Sequence, residues 1–116
     1  MPGFGDVKVF QVTPGKEEAF QTLLPEMVNQ LHASNGCNVV HVLKRSHTYD
    51  TLQDPPRLLT KLVKSVKYYL YCEFNTLDDY DHANRKLFSD FQKRFMKLLI
   101  APPDIACGVS LKENNG

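Results

Sequence analysis

Two side chains in this sequence have the chemistry of a proton shuttle. Glu73 stands in the stretch Tyr69-Leu70-Tyr71-Cys72-Glu73-Phe74, where strand alternation puts it on one face with Tyr69 and Tyr71. A carboxylate desolvated beside such rings is a stronger base than one in water, although a strand-end Glu is also commonly solvated. His82 has the resting pKa suited to general acid–base work, and equally the profile of a solvated helix-surface His. Tyr69, Tyr71 and Tyr80 combine ring area with a hydroxyl, which suits either the wall of an aromatic-binding cavity or a packed core. His41, between Val40 and Val42, faces a pocket or a seam between chains if its sheet is buried on both sides; otherwise it is a satisfied core His. Asn84 and Gln11 are polar positions inside apolar patterns, placed to hydrogen-bond a substrate or a neighbour.

Other chemistries are poorly supplied. His32, His41, His47 and His82 have no metal-ligand spacing, so no metal is expected. Cys37, Cys72 and Cys107 are an odd number without a Cys-x-x-Cys pair, which fits neither a disulfide framework nor a zinc site. They are expected to pack as small apolar residues in a reducing compartment. The run Arg57, Lys61, Lys64, Lys67 contains no acid and is suited to an anionic ligand or partner, or is a solvated helix face.

The elements that must position these residues follow from pattern. Residues 6–12 read as a strand, ended by the turn Thr13-Pro14-Gly15-Lys16. Over 17–33, Phe20, Leu23, Leu24, Met27, Val28 and Leu31 recur at spacings of three and four and predict an amphipathic helix, closed by Asn35-Gly36. Strands are expected at 38–45, 67–75 and 104–111. A second helix begins at the cap Thr76-Leu77-Asp78-Asp79 and carries the stripe Leu77, Tyr80, Asn84, Leu87, Phe88, Phe91, Phe95 and Leu98 before Pro102-Pro103. Residues 46–66 form an insertion, expected to contain a short amphipathic helix after Asp54-Pro55-Pro56.

This order is α+β, a ferredoxin-like βαββαβ unit: a single domain over 1–116 with a four-stranded antiparallel sheet and both main helices on one face. Yet Val39-Val40, Tyr69-Leu70-Tyr71-Cys72 and Ile105-Ala106-Cys107 are apolar at consecutive positions, as if both sheet faces were covered. The helices cover one. The insertion, a ligand or a second copy must cover the other, and a homodimer packed sheet on sheet is the simplest expectation.

Composition agrees with a small globular domain. The chain has 116 residues, 42% hydrophobic and 23% charged, with 14 Lys plus Arg against 13 Asp plus Glu. A net charge of +1 is too small to drive nucleic-acid binding, so nucleic acid is not an expected partner. No run of about eighteen apolar residues is present and the opening residues do not resemble a signal peptide, so no membrane partner and a cytoplasmic location are expected.

Val12-Thr13-Pro14-Gly15-Lys16-Glu17-Glu18-Ala19-Phe20 resembles the Pro-Gly-Lys turn of the antibiotic biosynthesis monooxygenase family of dimeric α/β barrels. Tyr71-Cys72-Glu73-Phe74, followed by Thr76-Leu77-Asp78-Asp79-Tyr80 and His82, is similar to that family's strand Glu, helix cap and helix His. Counted from Tyr80, Ala83 holds the usual His position and His82 stands one residue early, about 100° around a straight helix. The resemblance implies a homodimer with a pocket between sheet and helices, in which Glu73 and His82 are catalytic and Tyr69, Tyr71, Tyr80, Asn84, His41 and Gln11 meet the substrate. The activity implied is cofactor-independent monooxygenation of a small aromatic or polyketide-like molecule, without metal or flavin. The alternatives are a non-catalytic dimeric small-molecule-binding module and a small-molecule isomerase. The haem-degrading branch uses a helix Trp and a strand-one Asn; this chain has no Trp and carries Lys8 near the Asn position.

Overall fold

The computed structural model describes residues 3–60 and 64–111. Its main sheet has the order β2-β5-β1-β6, built from β1 (Phe4–Val12), β2 (Cys37–Lys44), β5 (Val66–Phe74) and β6 (Asp104–Val109). Every pairing is antiparallel. With α1 (Glu17–His32) and α2 (Leu77–Met96) as the connections, this is the expected ferredoxin-like α+β fold. Because β1 lies between β5 and β6, Cys72 and Cys107 flank Asp6 in register rather than pairing with each other.

The helices start and stop where local chemistry dictates. Thr76 caps α2, its hydroxyl accepting from the Asp79 N–H at 3.0 Å, while Asp78 and Asp79 oppose the helix dipole. After α1, Gly36 takes φ +77°, and a β-carbon there would collide with the Asp79 carboxylate. That turn therefore docks the end of α1 against the start of α2.

The core forms between helices and sheet. Phe20, Leu23, Leu24, Met27 and Leu31 of α1 meet Phe10, Val12, Tyr68, Leu70, Cys72 and Phe74 of the sheet. Phe10 and Phe20 lie with ring centroids 5.3 Å apart, and Phe20 and Tyr68 at 4.9 Å. Each large side chain so buried contributes roughly 1.5–3 kcal/mol. The buried stripe of α2 is Tyr80, Ala83, Leu87, Phe91 and Phe95; Leu77, expected within it, is exposed. Leu77 is the first helical residue, before the chain has turned its apolar side to the sheet.

The insertion differs from expectation. Residues 57–58, expected in a helix, form β4 (Arg57–Leu58), which pairs with β3 (His47–Thr48), and the Leu59 N–H donates to the Ser46 carbonyl at 2.9 Å. Val66, also expected in that helix, opens β5 opposite Val12. Strand pairing takes Arg57, Leu58 and Val66 out of the expected helix; its residues 61–63, Leu62 and Val63 among them, lie outside the described residues.

The expectation that both sheet faces are sheltered is not met within one chain. The molecule is only 19 Å through its thin dimension, enough for one sheet and one helix layer. Val7, Val39, Leu43 and Tyr71 on the helix-free face are 37–58% exposed, and the insertion does not cover them. Among the described residues no helix is long and apolar enough to cross a membrane.

Candidate functional site

Alternation along β1 sends Phe4, Asp6, Lys8, Phe10 and Val12 toward the helices. Two of these five are charged. The Lys8 Nζ donates to Asp6 Oδ2 at 2.7 Å, and both side chains are fully buried. From the start of α2, the Tyr80 hydroxyl donates to the same Oδ2 at 2.5 Å. Cys72, opposite Asp6 on β5, donates its thiol to Oδ1 at 3.2 Å. One carboxylate thus gathers an ammonium, a phenol and a thiol.

The cluster is held protonated around its carboxylate. Burial first, then the Asp6 hydrogen bond and charge, raise the Tyr80 phenol above its usual range. Burial likewise pushes the Cys72 thiol up to about 12, against a downward pull from Lys8. Both groups are therefore donors at neutral pH. Lys8 has three N–H donors and one oxygen acceptor at hydrogen-bond distance; its other close neighbours are the Cys72 sulfur at 4.0 Å and the faces of Tyr80 and Phe88, 5.9 and 6.0 Å from Nζ.

Asn84 lies one helical turn from Tyr80 and one from Phe88, on the same side of α2. Its Oδ1 is buried and has no hydrogen-bond partner among the described residues. A buried acceptor left unpaired costs about 1–3 kcal/mol. The helices also stop short of β6. Ile105, Cys107 and Val109, paired with Lys8, Asp6 and Phe4, share their sheet face and are exposed. Among the described residues no group of three or more His, Cys, Asp or Glu side chains is placed to hold a metal ion.

Solved structures match this architecture end to end. A candidate antibiotic biosynthesis monooxygenase from Nitrosomonas europaea superposes with a TM-score of 0.72 at 14% identity, over 97% of this chain and 94% of that one. Rv0793 from Mycobacterium tuberculosis gives 0.70 at 15% identity, over 97% and 99%. A candidate antibiotic biosynthesis monooxygenase from Caulobacter crescentus gives 0.68 at 16% identity, over 96% and 92%. The chain shares its fold with these solved structures. No family model matches the sequence, and no curated protein matches it.

Within this shared fold, the residues singled out from sequence separate into three places. Tyr80 joins the Asp6–Lys8 cluster, and Asn84 stands one helical turn further along α2. Gln11, His41, Tyr69, Tyr71 and Glu73 point the other way, because they occupy the alternate positions of β1, β2 and β5; His41 and Tyr71 are directly paired, as are Gln11 and Lys67. The Tyr71 hydroxyl donates to Glu73 at 3.4 Å, and burial followed by the Glu73 charge raises the Tyr71 pKa. His82 is exposed, in a groove of about 500 Å³ between the end of α1 and the start of α2 that it shares with Gln30, Asp79 and Lys86. A sheet and a helix layer separate His82 from Glu73, so the arrangement does not bring them together in one chain.

Asp6 and Lys8 were not among the sequence candidates. The signal was the five-residue alternation Phe4, Asp6, Lys8, Phe10, Val12, in which two charges occupy the face that the helices must cover. Of the three cysteines expected to pack as small apolar residues, Cys72 is in the core and Cys37 packs against it, whereas Cys107 does not pack. Cys72 is a hydrogen-bonded member of the cluster, and Cys107 is exposed because nothing covers the helix side of β6.

Proposed function

We propose that the protein is a cofactor-independent monooxygenase acting on a small aromatic or polyketide-like molecule, bound between α2 and β6 beside the Asp6–Lys8–Tyr80 cluster. One observation carries this reading: Asn84 Oδ1, buried and without a hydrogen-bond partner among the described residues, stands on α2 one turn from Tyr80 and one from Phe88, whose rings lie beside the buried Lys8 Nζ. An acceptor for a substrate hydroxyl beside donors for an oxyanion is what conversion of a phenol to its anion requires. Phe4 and Phe88, around Tyr80 and Lys8, supply the ring-binding surface.

In this scheme the substrate hydroxyl proton passes to the Tyr80 oxygen as the Tyr80 proton moves to Asp6, along the 2.5 Å hydrogen bond. Lys8 holds the resulting oxyanion. The electron-rich anion then reduces dioxygen: a ring methylene becomes a carbonyl, one oxygen atom enters the product and the other leaves as water. The fold shared with candidate monooxygenases supports this assignment. A second copy packed over Val7, Val39, Leu43 and Tyr71 completes the proposed enzyme as a homodimer.

A second reading has its own support. Asp6, Lys8, Tyr80 and Cys72 already satisfy much of one another's hydrogen bonding, as expected of a binding module whose interior is filled by its own side chains. Oxygen uptake with a panel of hydroquinones and anthrones decides between them. Substrate-dependent uptake is expected, lost in Tyr80→Phe and Asn84→Leu and retained in Glu73→Gln and His82→Ala. Rearrangement of a compound without uptake would make the protein an isomerase, and no binding across the panel would leave the module.

A further inference from the structure

A second cleft, remote from the cluster, lies where the insertion meets the ends of β2 and β5. Its volume is about 530 Å³. Lys44, Arg45, Lys64 and Lys67 line it, and among the described residues no acidic side chain does. Among the described residues, none of these four makes an ion pair, whereas Arg57, from the same basic stretch of sequence, is neutralised by Asp50 at 2.7 Å. Four unpaired cations around one concavity focus a positive potential in a chain whose net charge is only +1.

The walls add neutral donors and a greasy floor. Ser65 donates to Gln11 Oε1 at 3.4 Å, which leaves the Gln11 amide N–H groups available to the cleft. Leu58 and Leu59 of the insertion close one side. Backbone bonds fix these walls relative to one another: Arg45 N–H to the Lys67 carbonyl and Leu59 N–H to the Ser46 carbonyl, both at 2.9 Å. The volume lies in the range of small-molecule sites and exceeds what a single simple oxyanion fills.

We infer that this cleft binds a small molecule bearing two or more phosphate charges, its organic part against Leu58 and Leu59. A monoanion would leave most of the four cations uncompensated, whereas a diphosphate engages several at once, with the Arg45 guanidinium offering paired donors to one phosphate. Lys64 and Lys67 of the basic run meet Gln11 here, and the oxygenase site uses none of the three. The site stands independently of the proposed oxygenase chemistry.

Calorimetric titration of the full chain with inorganic pyrophosphate tests this, with citrate and anionic lipid vesicles as parallel arms. Saturable one-site binding of pyrophosphate is expected, weakening by about tenfold or more in the double variant Arg45→Ala/Lys67→Ala and likewise in Lys44→Ala/Lys64→Ala. Thermal melts without ligand check that each variant folds, and the two independent pairs guard against one of them failing to do so. Absence of saturable heat, equal binding by wild type and folded variants, or tighter binding of citrate or vesicles than of pyrophosphate would overturn the inference. A variant that loses self-association without any change in pyrophosphate binding would make these cations a contact between chains, and would overturn it too.

Discussion

Toward the helices β1 presents Phe4, Asp6, Lys8, Phe10 and Val12; toward the other side it presents Gly5, Val7, Val9 and Gln11. The charged pair lies on the covered side at zero side-chain exposure, and Val7 on the open side is 37% exposed. A sheet arranged for its own stability alone would place these the other way round. The inversion teaches that the two faces answer to different demands. The covered face keeps ionised groups out of water, where an electrostatic interaction with a ligand is strengthened, and the open face keeps apolar surface available for another surface to cover.

The largest test of this contrast removes one half of the buried pair. Lys8→Met leaves the Asp6 carboxylate without its cation and should destabilise the fold by about 3–5 kcal/mol in urea unfolding. Asp6→Asn/Lys8→Met keeps an acceptor for Tyr80 and removes both charges, so it should recover most of that loss. If both variants unfold alike, the pair is a packing element and its charge is incidental. The corresponding change on the open face is Leu43→Asp. Leu43 is 58% exposed in the single chain, so its replacement should shift intrinsic stability by no more than about 0.5 kcal/mol. It should weaken the proposed homodimer by about a hundredfold, measured by sedimentation equilibrium, because a charge would enter the apolar seam. Wild-type protein that sediments as single chains at micromolar concentration would remove the second copy from the account.

How far the sequence discloses this molecule depends on the range over which each signal acts. Helical periodicity at Phe20, Leu23, Leu24, Met27 and Leu31, the Thr76 cap and the turn at Gly36 are local, and all are found where their patterns place them. Leu58 and Val66 also belong to a helical spacing, but strand pairs with His47 and Val12 overrule it at these two positions. Tertiary pairing is invisible to periodicity. The candidate site divides for the same reason. Tyr80 and Asn84 are legible as polar-capable positions inside an apolar stripe, whereas Asp6 and Lys8 read as ordinary surface charges until the helices are laid over their side of β1. Glu73 and Tyr71 are legible as a pair on one strand face; which face it is depends on the layer opposite, and that layer is not the helices.

The smallest expected effect distinguishes the faces by proton linkage. Cys72 on the covered face holds its proton up to about pH 12, while in the unfolded chain it ionises from near its ordinary value of 9.0. A raised folded-state pKa contributes stability that is complete below pH 9 and is lost as pH rises toward 12, because there the unfolded state has released a proton that the folded state still keeps. One such proton lowers unfolding free energy by about 1.4 kcal/mol per pH unit. Cys72→Ser retains a donor for Asp6 and does not titrate, so the stability difference between wild type and variant should be flat from pH 7 to 9 and then fall at about that slope. Tyr71 on the open face is also raised, by burial and then by Glu73, but it is 37% exposed and water screens the shift. Tyr71→Phe should therefore change the alkaline slope less than Cys72→Ser does. Equal slopes for the two variants would mean that the thiol is no better sheltered than the phenol, and the buried carboxylate cluster would lose its claim to be the protein's low-dielectric site.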